Sequence, residues 1–401
     1  PTRVQRLDVA EAGDGTYRVS FGGTEQPASY LVTTASAVRQ PQLEVTRAAT
    51  KLNQRADYLI ISHPNFIKGL TPLVAARRAQ GLKVSVVDVN DLYGQYTHGI
   101  FDPQAIRDYI AYAARNLGTK YVLLVGGDTY DYRNYTGRNS VSFIPSLYFA
   151  TGPIARAVPV DPLYTDLNGD NLPDLAIGRF PVRSQAELDL LVQKTLAYEN
   201  KRYGKTALFA TDKRDQAVSF KEISAVLEAS LPSGWAVERV HLDDLGVVAA
   251  RQQLLDAMNR GTALVTFTGH SGPTSWTFSS LFTTSHAAQL TNAGKPFVAV
   301  QWGCWNTYYV DPVNNYLVQS LLFSGDRGAA AALGAVTLTD AESERLLGEL
   351  LTPRMVQPGV RLGDALQQTK AELAQTNPDL LDVLLGWTLM GDPTLMIEPS
   401  R

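Results

Sequence analysis

Short apolar, β-branched runs alternate with helix signals along most of this chain, and that alternation restricts the fold more than any other feature. Tyr58-Leu59-Ile60-Ile61 precedes a helix start at Thr71-Pro72, Lys83-Val84-Ser85-Val86-Val87 precedes another at Asp102-Pro103, and Lys120-Tyr121-Val122-Leu123-Leu124-Val125 runs into Gly126-Gly127-Asp128. Runs apolar at every position read as strands buried on both faces, and their repetition with helices between them specifies a parallel sheet. Proline just inside a helix start, behind a hydroxyl or carboxylate, occupies the one turn where its missing N–H costs nothing. A capping box, Ser184-Gln185-Ala186-Glu187, opens a long amphipathic helix to about Glu199.

A second series follows. Ala207-Leu208-Phe209-Ala210 opens it, a helix runs from about Phe220 to Leu231, and Thr262-Ala263-Leu264-Val265-Thr266-Phe267 and Pro296-Phe297-Val298-Ala299-Val300 read as buried strands. Ala329-Ala330-Ala331-Ala332-Leu333 reads equally well as strand or helix. The expected fold is therefore α/β, with two adjacent α/β subdomains of mainly parallel sheet over residues 56–203 and 204–401, the boundary falling in the polar stretch Asn200 to Lys205. Residues 1–55 read as a β segment or the end of a preceding module, with short runs at Thr16 to Phe21 and Tyr30 to Val32 between glycine-rich turns.

Composition narrows function. With 401 residues, 45% of them hydrophobic, the chain can bury a large core, and a formal charge of −3 without any lysine/arginine block argues against nucleic acid as a partner. One cysteine excludes an intrachain disulfide and a cysteine-rich zinc site. No apolar run approaches the roughly 18 residues of a membrane-spanning helix. The opening Pro1-Thr2-Arg3 carries no signal peptide, and a fragment cut from a longer precursor is expected.

The lone cysteine lies in Gly303-Cys304-Trp305, just past the Pro296–Val300 run. One strand earlier, Thr262–Phe267 leads into Thr268-Gly269-His270-Ser271-Gly272. Ligands of open α/β sheets bind beyond the strands' carboxyl ends, so His270 and Cys304 meet if the two strands are parallel neighbours. A histidine within reach of a thiol can activate it as a nucleophile and later protonate the leaving amine. A buried free cysteine and a packed histidine are the structural alternative, and spacing alone favours that alternative. Ser271 is a rival nucleophile, but Gly269-His270-Ser271-Gly272-Pro273 lacks the Gly-x-Ser-x-Gly spacing of a hydrolase elbow. The other histidines, His63, His98, His241 and His286, show no metal-binding spacing.

The residues around the pair resemble a known family. Phe267-Thr268-Gly269-His270, Ser271-Gly272-Pro273-Thr274-Ser275-Trp276, Phe282 to His286, and Gln289-Leu290-Thr291-Asn292 resemble the catalytic-histidine region of gingipain-type cysteine peptidases. Pro296 to Cys304 resembles the strand delivering their cysteine. Asp174 to Val182 and Trp387 to Leu395 are further matches, and together the landmarks span roughly Asp57 to Glu398. The resemblance implies a caspase-like second subdomain and a cysteine endopeptidase that needs no metal or other cofactor for the chemistry. It implies Cys304 as nucleophile, His270 as general base and acid, and a carboxylate assisting the histidine, for which Asp212 lies closest and Asp215 second. An oxyanion would be bound by backbone N–H groups at Cys304 and at Ser271 or Gly272. Trp302, with Trp276 and Gln301, would line the pocket for the side chain before the scissile bond. Two positions depart from the family pattern. Ser271 replaces the usual glycine after the histidine, and bulky Trp302 precedes Gly303. The stretch Gln216-Ala217-Val218-Ser219, where an acidic residue confers arginine preference in some members, is neutral. Asp340 and Glu342 read as helix-start carboxylates.

Asp166-Leu167-Asn168-Gly169-Asp170-Asn171-Leu172-Pro173-Asp174 is a second chemical candidate. Side-chain oxygens of Asp166, Asn168, Asp170 and Asp174, with the Leu172 carbonyl, are spaced to wrap a structural calcium ion, although the twelfth position is Ile177 where an EF-hand has glutamate. An ion-free Asx-rich turn is the alternative. The expected function is a secreted or cell-surface cysteine endopeptidase acting on protein or peptide substrates. A transpeptidase of the same fold, or a noncatalytic calcium-stabilised surface or adhesion module, are the alternatives.

Overall fold

The computed structural model describes residues 5–38, 50–200 and 204–398. Residues Pro1–Val45 and Thr46–Arg401 form two compact units. In the first, Val9–Glu11 and Tyr17–Val19 pair antiparallel around a turn in which Gly13 and Gly15 both take φ of 83°, a conformation glycine adopts freely. Tyr30, Leu31 and Val32 form no strand. Pro1, Thr2 and Arg3, and Lys201, Arg202 and Tyr203 of the expected boundary, lie outside the described residues.

The second unit is organised by a single ten-stranded sheet. Its strands are β1 (Tyr58–Ser62), β2 (Val84–Asp88), β3 (Tyr121–Val125), β4 (Ala176–Phe180), β5 (Thr206–Thr211), β6 (Ala236–His241), β7 (Leu264–Thr268), β8 (Phe297–Trp302), β9 (Ala329–Ala335) and β10 (Trp387–Met390), arranged in the order β6-β5-β7-β8-β9-β10-β4-β3-β1-β2. All neighbours are parallel except β9 and β10. Because β10 runs with β4 but against β9, the two halves of the sheet point in opposite directions. The two expected α/β series are thus halves of one sheet, and the last strand of the chain sits between them.

The helix signals hold. Asp102 caps helix Pro103–Leu117 by accepting the Gln104 N–H at 2.9 Å, and the Ser184–Glu187 capping box opens helix Gln185–Glu199. Such a cap contributes about 1 kcal/mol by satisfying an otherwise orphaned N–H. Ala329–Ala335 is a fully buried strand, paired on both sides in the sheet interior. Two of the family-like landmarks lie against each other. Arg179 of β4 pairs with Met390 of β10, and a Cβ on Gly178 would overlap the Gly391 carbonyl, so only glycine admits this approach. Beyond β10, Asp392 accepts from Arg77 Nε and Tyr58 OH, each at 2.8 Å, a buried ion pair to helix Thr71–Ala79 and a hydrogen bond to β1.

Side chains alternate across the site-bearing strand as a pleat requires. Phe297 and Ala299 of β8 enter one buried cluster, whereas Val298, Val300 and Trp302 enter the cluster on the other face.

Candidate active site

Three strand ends meet with almost no side chain between them. Asp212 N donates to Thr268 O at 3.0 Å, and Gly269 N donates to Trp302 O at 2.9 Å, so β5, β7 and β8 finish side by side. A Cβ on Gly269 would strike Asp212, and one on Gly303 would strike both the Gly269 carbonyl and the Ser271 hydroxyl. The glycines before His270 and before Cys304 are therefore demanded by backbone packing. They bring the two chemically active residues to adjacent strand ends, as the parallel register of Thr268 with Trp302 requires.

The turn after β8 is held rigidly. Asn306, fully buried, donates through Nδ2 to Gln301 O at 2.9 Å and to Gly303 O at 2.5 Å, while its Oδ1 accepts the Ala335 N–H at 3.1 Å. Ser271 Oγ donates to Cys304 O at 2.8 Å. Trp305 then takes φ of +58°, a costly conformation for a bulky residue that persists only because its surroundings impose it. Ser271, the departure from the family pattern beside His270, thus packs on Gly303 and clamps the Cys304 carbonyl.

His270 is oriented from one side by Asp215, whose Oδ2 lies 2.9 Å from Nε2, and its ring sits between Phe220 and Phe278 at centroid distances of 5.1 and 4.9 Å. Asp215 accepts the N–H groups of Ala217 and Val218 as well, and these hydrogen bonds, before that of His270, hold its carboxyl below the usual range. Asp212, the carboxylate expected first for this role, points elsewhere. Its Oδ1 accepts the Lys213 N–H at 2.8 Å, and it also accepts the His270 backbone N–H. It braces the backbone of the turn, and burial pushes its carboxyl up.

The Cys304 sulfur is half-buried, and its hydrogen-bond contacts are with Thr339. The Thr339 N–H and hydroxyl approach it at 3.4 and 3.6 Å, and the Thr339 carbonyl lies 3.5 Å away. Burial pushes the thiol up, the Thr339 donors pull it down, and Glu344 and Asp382 push it up again, with a net upward shift.

The expected pocket residues require a correction. Trp302 is 2% exposed and stacks on Trp387 at 4.2 Å, on the core face set by strand alternation. Trp276 and Gln301 are fully buried and bond to each other, Nε1 to Oε1 at 2.8 Å. None presents surface to a substrate. An open groove is lined instead by Ala217, Ser219 and Glu222 and by Asp340, Glu342 and Arg345; Ala217 donates its N–H to Asp215, and Asp340 directly follows Thr339 in the chain. Asp340 caps its helix by accepting the Glu342 and Ser343 N–H groups, as expected, and Glu342 pairs with Arg345 at 2.5 Å.

In the Asp166–Asp174 loop, Asp166 Oδ1 accepts the Gly169 N–H at 2.6 Å and Oδ2 faces Arg107 at 3.3 Å, while Asp174 Oδ2 accepts the Leu167 N–H at 2.7 Å. Asp170 Oδ2 accepts from Asn168 Nδ2, and its Oδ1 from the Leu172 N–H. Among the described residues no group of three or more His, Cys, Asp or Glu side chains is placed to hold a metal ion. The Asp166, Asp170 and Asp174 carboxylates each accept an N–H from within the loop, which shapes it as an Asx-rich turn.

A lone thiol and a carboxylate-oriented histidine thus stand at neighbouring parallel strand ends, the residue types that a cysteine peptidase uses. The family model for peptidase family C25 matches residues 51–398, and the chain belongs to that family. Gingipain R2 of Porphyromonas gingivalis is 23% identical over 98% of this chain and 52% of its own length, and gingipain R1 of the same organism is 23% identical over 86% and 34%. The chain thus spans about half the length of the curated relatives it matches first. The crystal structure of the Arg-specific cysteine proteinase gingipain R superposes with a TM-score of 0.69 at 21% identity, covering 86% of this chain and 79% of that one. The fold is accordingly the gingipain-type, caspase-like one.

The sequence reading passed over Thr339, Glu344 and Asn306. Glu344 carried a readable signal. It lies on the apolar stripe of its helix with Leu347 and Leu351, and a carboxyl at such a position is unusual.

Proposed function

We propose that this chain is a cysteine endopeptidase in which Cys304 attacks the peptide carbonyl and His270 carries the proton. The observation that supports this best is the junction of β7 and β8, where two glycines leave His270 and Cys304 as neighbours and Asp215 orients the imidazole. With Asp215 accepting a hydrogen bond from Nε2–H, the lone pair lies on Nδ1, which takes the thiol proton. The thiolate adds to the carbonyl carbon, and the oxyanion is received by the Cys304 N–H and the N–H of Ser271 or Gly272. Collapse expels the amine, protonated by the imidazolium, and water then attacks the acyl-enzyme with His270 as base.

The groove beside Asp215 and Thr339 is where the side chain before the cut would lie. Its carboxylates are already engaged: Glu222 by Arg214, Glu342 by Arg345, and Asp340 by helix N–H groups. This does not favour a strict preference for basic side chains. Protein or peptide substrates, and a secreted or cell-surface location, are parts of the same proposal and rest on the family.

A peptide-library screen of the wild type against Cys304→Ala tests it, with cleavage expected only in the wild type and an unchanged fold in the variant. Adding an amine nucleophile separates hydrolase from transpeptidase, since only a transpeptidase yields aminolysis product as its major species. The noncatalytic reading draws on the Cys304 sulfur facing Thr339, and it predicts no cleavage by either protein.

A further inference from the structure

The nucleophile is held from beneath by a carboxyl group that the peptidase reading does not use. Glu344 is 6% exposed, on helix Ala341–Met355. It accepts the Trp387 Nε1–H at 3.3 Å and bonds to the Gly303 N–H and the Thr339 hydroxyl. Gly303 immediately precedes Cys304, and among the described residues Thr339 supplies the hydrogen-bond contacts of the Cys304 sulfur. One carboxyl therefore touches both supports of the thiol.

No cation pairs with Glu344 among the described residues. Arg345, its neighbour in sequence, is turned to Glu342 and Glu349, and Lys370, on the far side of Trp387, donates to that residue's carbonyl. The titratable groups around it are the Asp382 carboxyl from helix Leu381–Leu384, Asp340 at the start of its own helix, and Cys304 itself. An ionised carboxylate there would be buried without a counter-charge, which is costly.

We propose that Glu344 is a positioning residue for the nucleophile: in its protonated form it donates to Thr339 Oγ1, whose own hydrogen then turns to the Cys304 sulfur and stabilises the thiolate. The proposal rests on reading Cys304 as the reactive thiol. When the thiol loses its proton to His270, Glu344 keeps its own, and only the hydrogen-bond directions along Glu344, Thr339 and Cys304 are set. Burial pushes the Glu344 carboxyl up to about 8, so the neutral form prevails at neutral pH. Above that, ionised Glu344 draws the Thr339 hydrogen to itself and adds a negative charge near the sulfur, and both effects oppose the thiolate.

Cys304 is the sole cysteine, so its alkylation by iodoacetamide reports this thiol alone in the intact protein and needs no turnover. The rate is measured from about pH 5 to 10 for the wild type, Glu344→Gln and Thr339→Val, with peptide hydrolysis followed in parallel. Glu344→Gln, which keeps the hydrogen bonds and removes the charge, shifts the alkylation midpoint down by about half a pH unit or more, whereas Thr339→Val shifts it up by a similar amount. A purely structural role changes rates without moving either midpoint. Superimposable profiles for wild type and either variant overturn the proposal. Opposite shifts in a protein that cleaves no peptide keep it and remove the peptidase reading instead.

Discussion

His270 Nε2 lies 2.9 Å from Asp215 Oδ2, although Asp212 is closer to the strand end. The helix-leading turn explains the choice: Asp215 is pinned by the Ala217 and Val218 N–H groups and faces the ring, while Asp212 is spent on backbone. Asp215→Asn should lower kcat/KM on the order of 10–100-fold with little effect on unfolding, because it loses the preferred imidazole tautomer. Asp212→Asn should show mainly a lowered denaturation midpoint. Steady-state kinetics paired with urea unfolding checks both, and the reverse pattern would return the assisting role to Asp212.

Gly303→Ala places a methyl against the Gly269 carbonyl and Ser271 hydroxyl. Overpacking of this kind costs about 1–3 kcal/mol, and here it also displaces Cys304. Both stability and alkylation rate should fall, and Ser271→Gly in the same chain should recover part of the loss. An unperturbed Gly303→Ala would contradict the close packing of the strand ends.

Much of this was legible in sequence, because buried strands and capped helices leave local patterns. That His270 and Cys304 follow neighbouring strand ends was readable from the two apolar runs, given parallel pairing. What sequence could not show depends on distant contacts. The opposed halves of the sheet arise because β10, from the end of the chain, pairs with β4 and β9. Ala329–Ala335 becomes a strand because neighbours on both sides claim its backbone groups. Trp302 could have been placed correctly: period-two alternation from Val298 through Val300 assigns it to the core face. The resemblance, which follows positions and not faces, led to the pocket instead.

Two buried lysines give stability a pH dependence. Burial pushes both Lys194 and Lys370 down to about 7, against roughly 10.4 in an unfolded chain. Between those values the unfolded state binds more protons, so each contributes stability that is full above about pH 10.4 and lost as pH falls toward 7. Glu344 works in the other direction, with a folded value of about 8, so its contribution is present at acid pH and lost as pH rises through 8. Denaturant unfolding across this range should show a smaller alkaline gain in Lys370→Met than in the wild type. Parallel curves would show that Lys370 stays charged.

For the Asp166–Asp174 loop, closure by its own N–H groups predicts that chelator or added calcium leaves the melting temperature unchanged. Asp166→Ala should destabilise by about 1–3 kcal/mol, since the Gly169 N–H loses its acceptor and Arg107 its partner. A calcium-dependent rise in melting temperature, abolished in Asp170→Ala, would establish an ion there.

If Cys304 is a nucleophile served by His270, its sulfur reacts with a substrate-like electrophile only while the imidazole is present. Intact-mass analysis after reaction with a peptidyl acyloxymethyl ketone tests it most directly, using wild type, Cys304→Ala and His270→Ala. One equivalent of label is expected on Cys304 in the wild type, none in Cys304→Ala, and a severe loss in His270→Ala. Absence of label in the wild type across a varied peptide set, or labelling indifferent to His270, would contradict it.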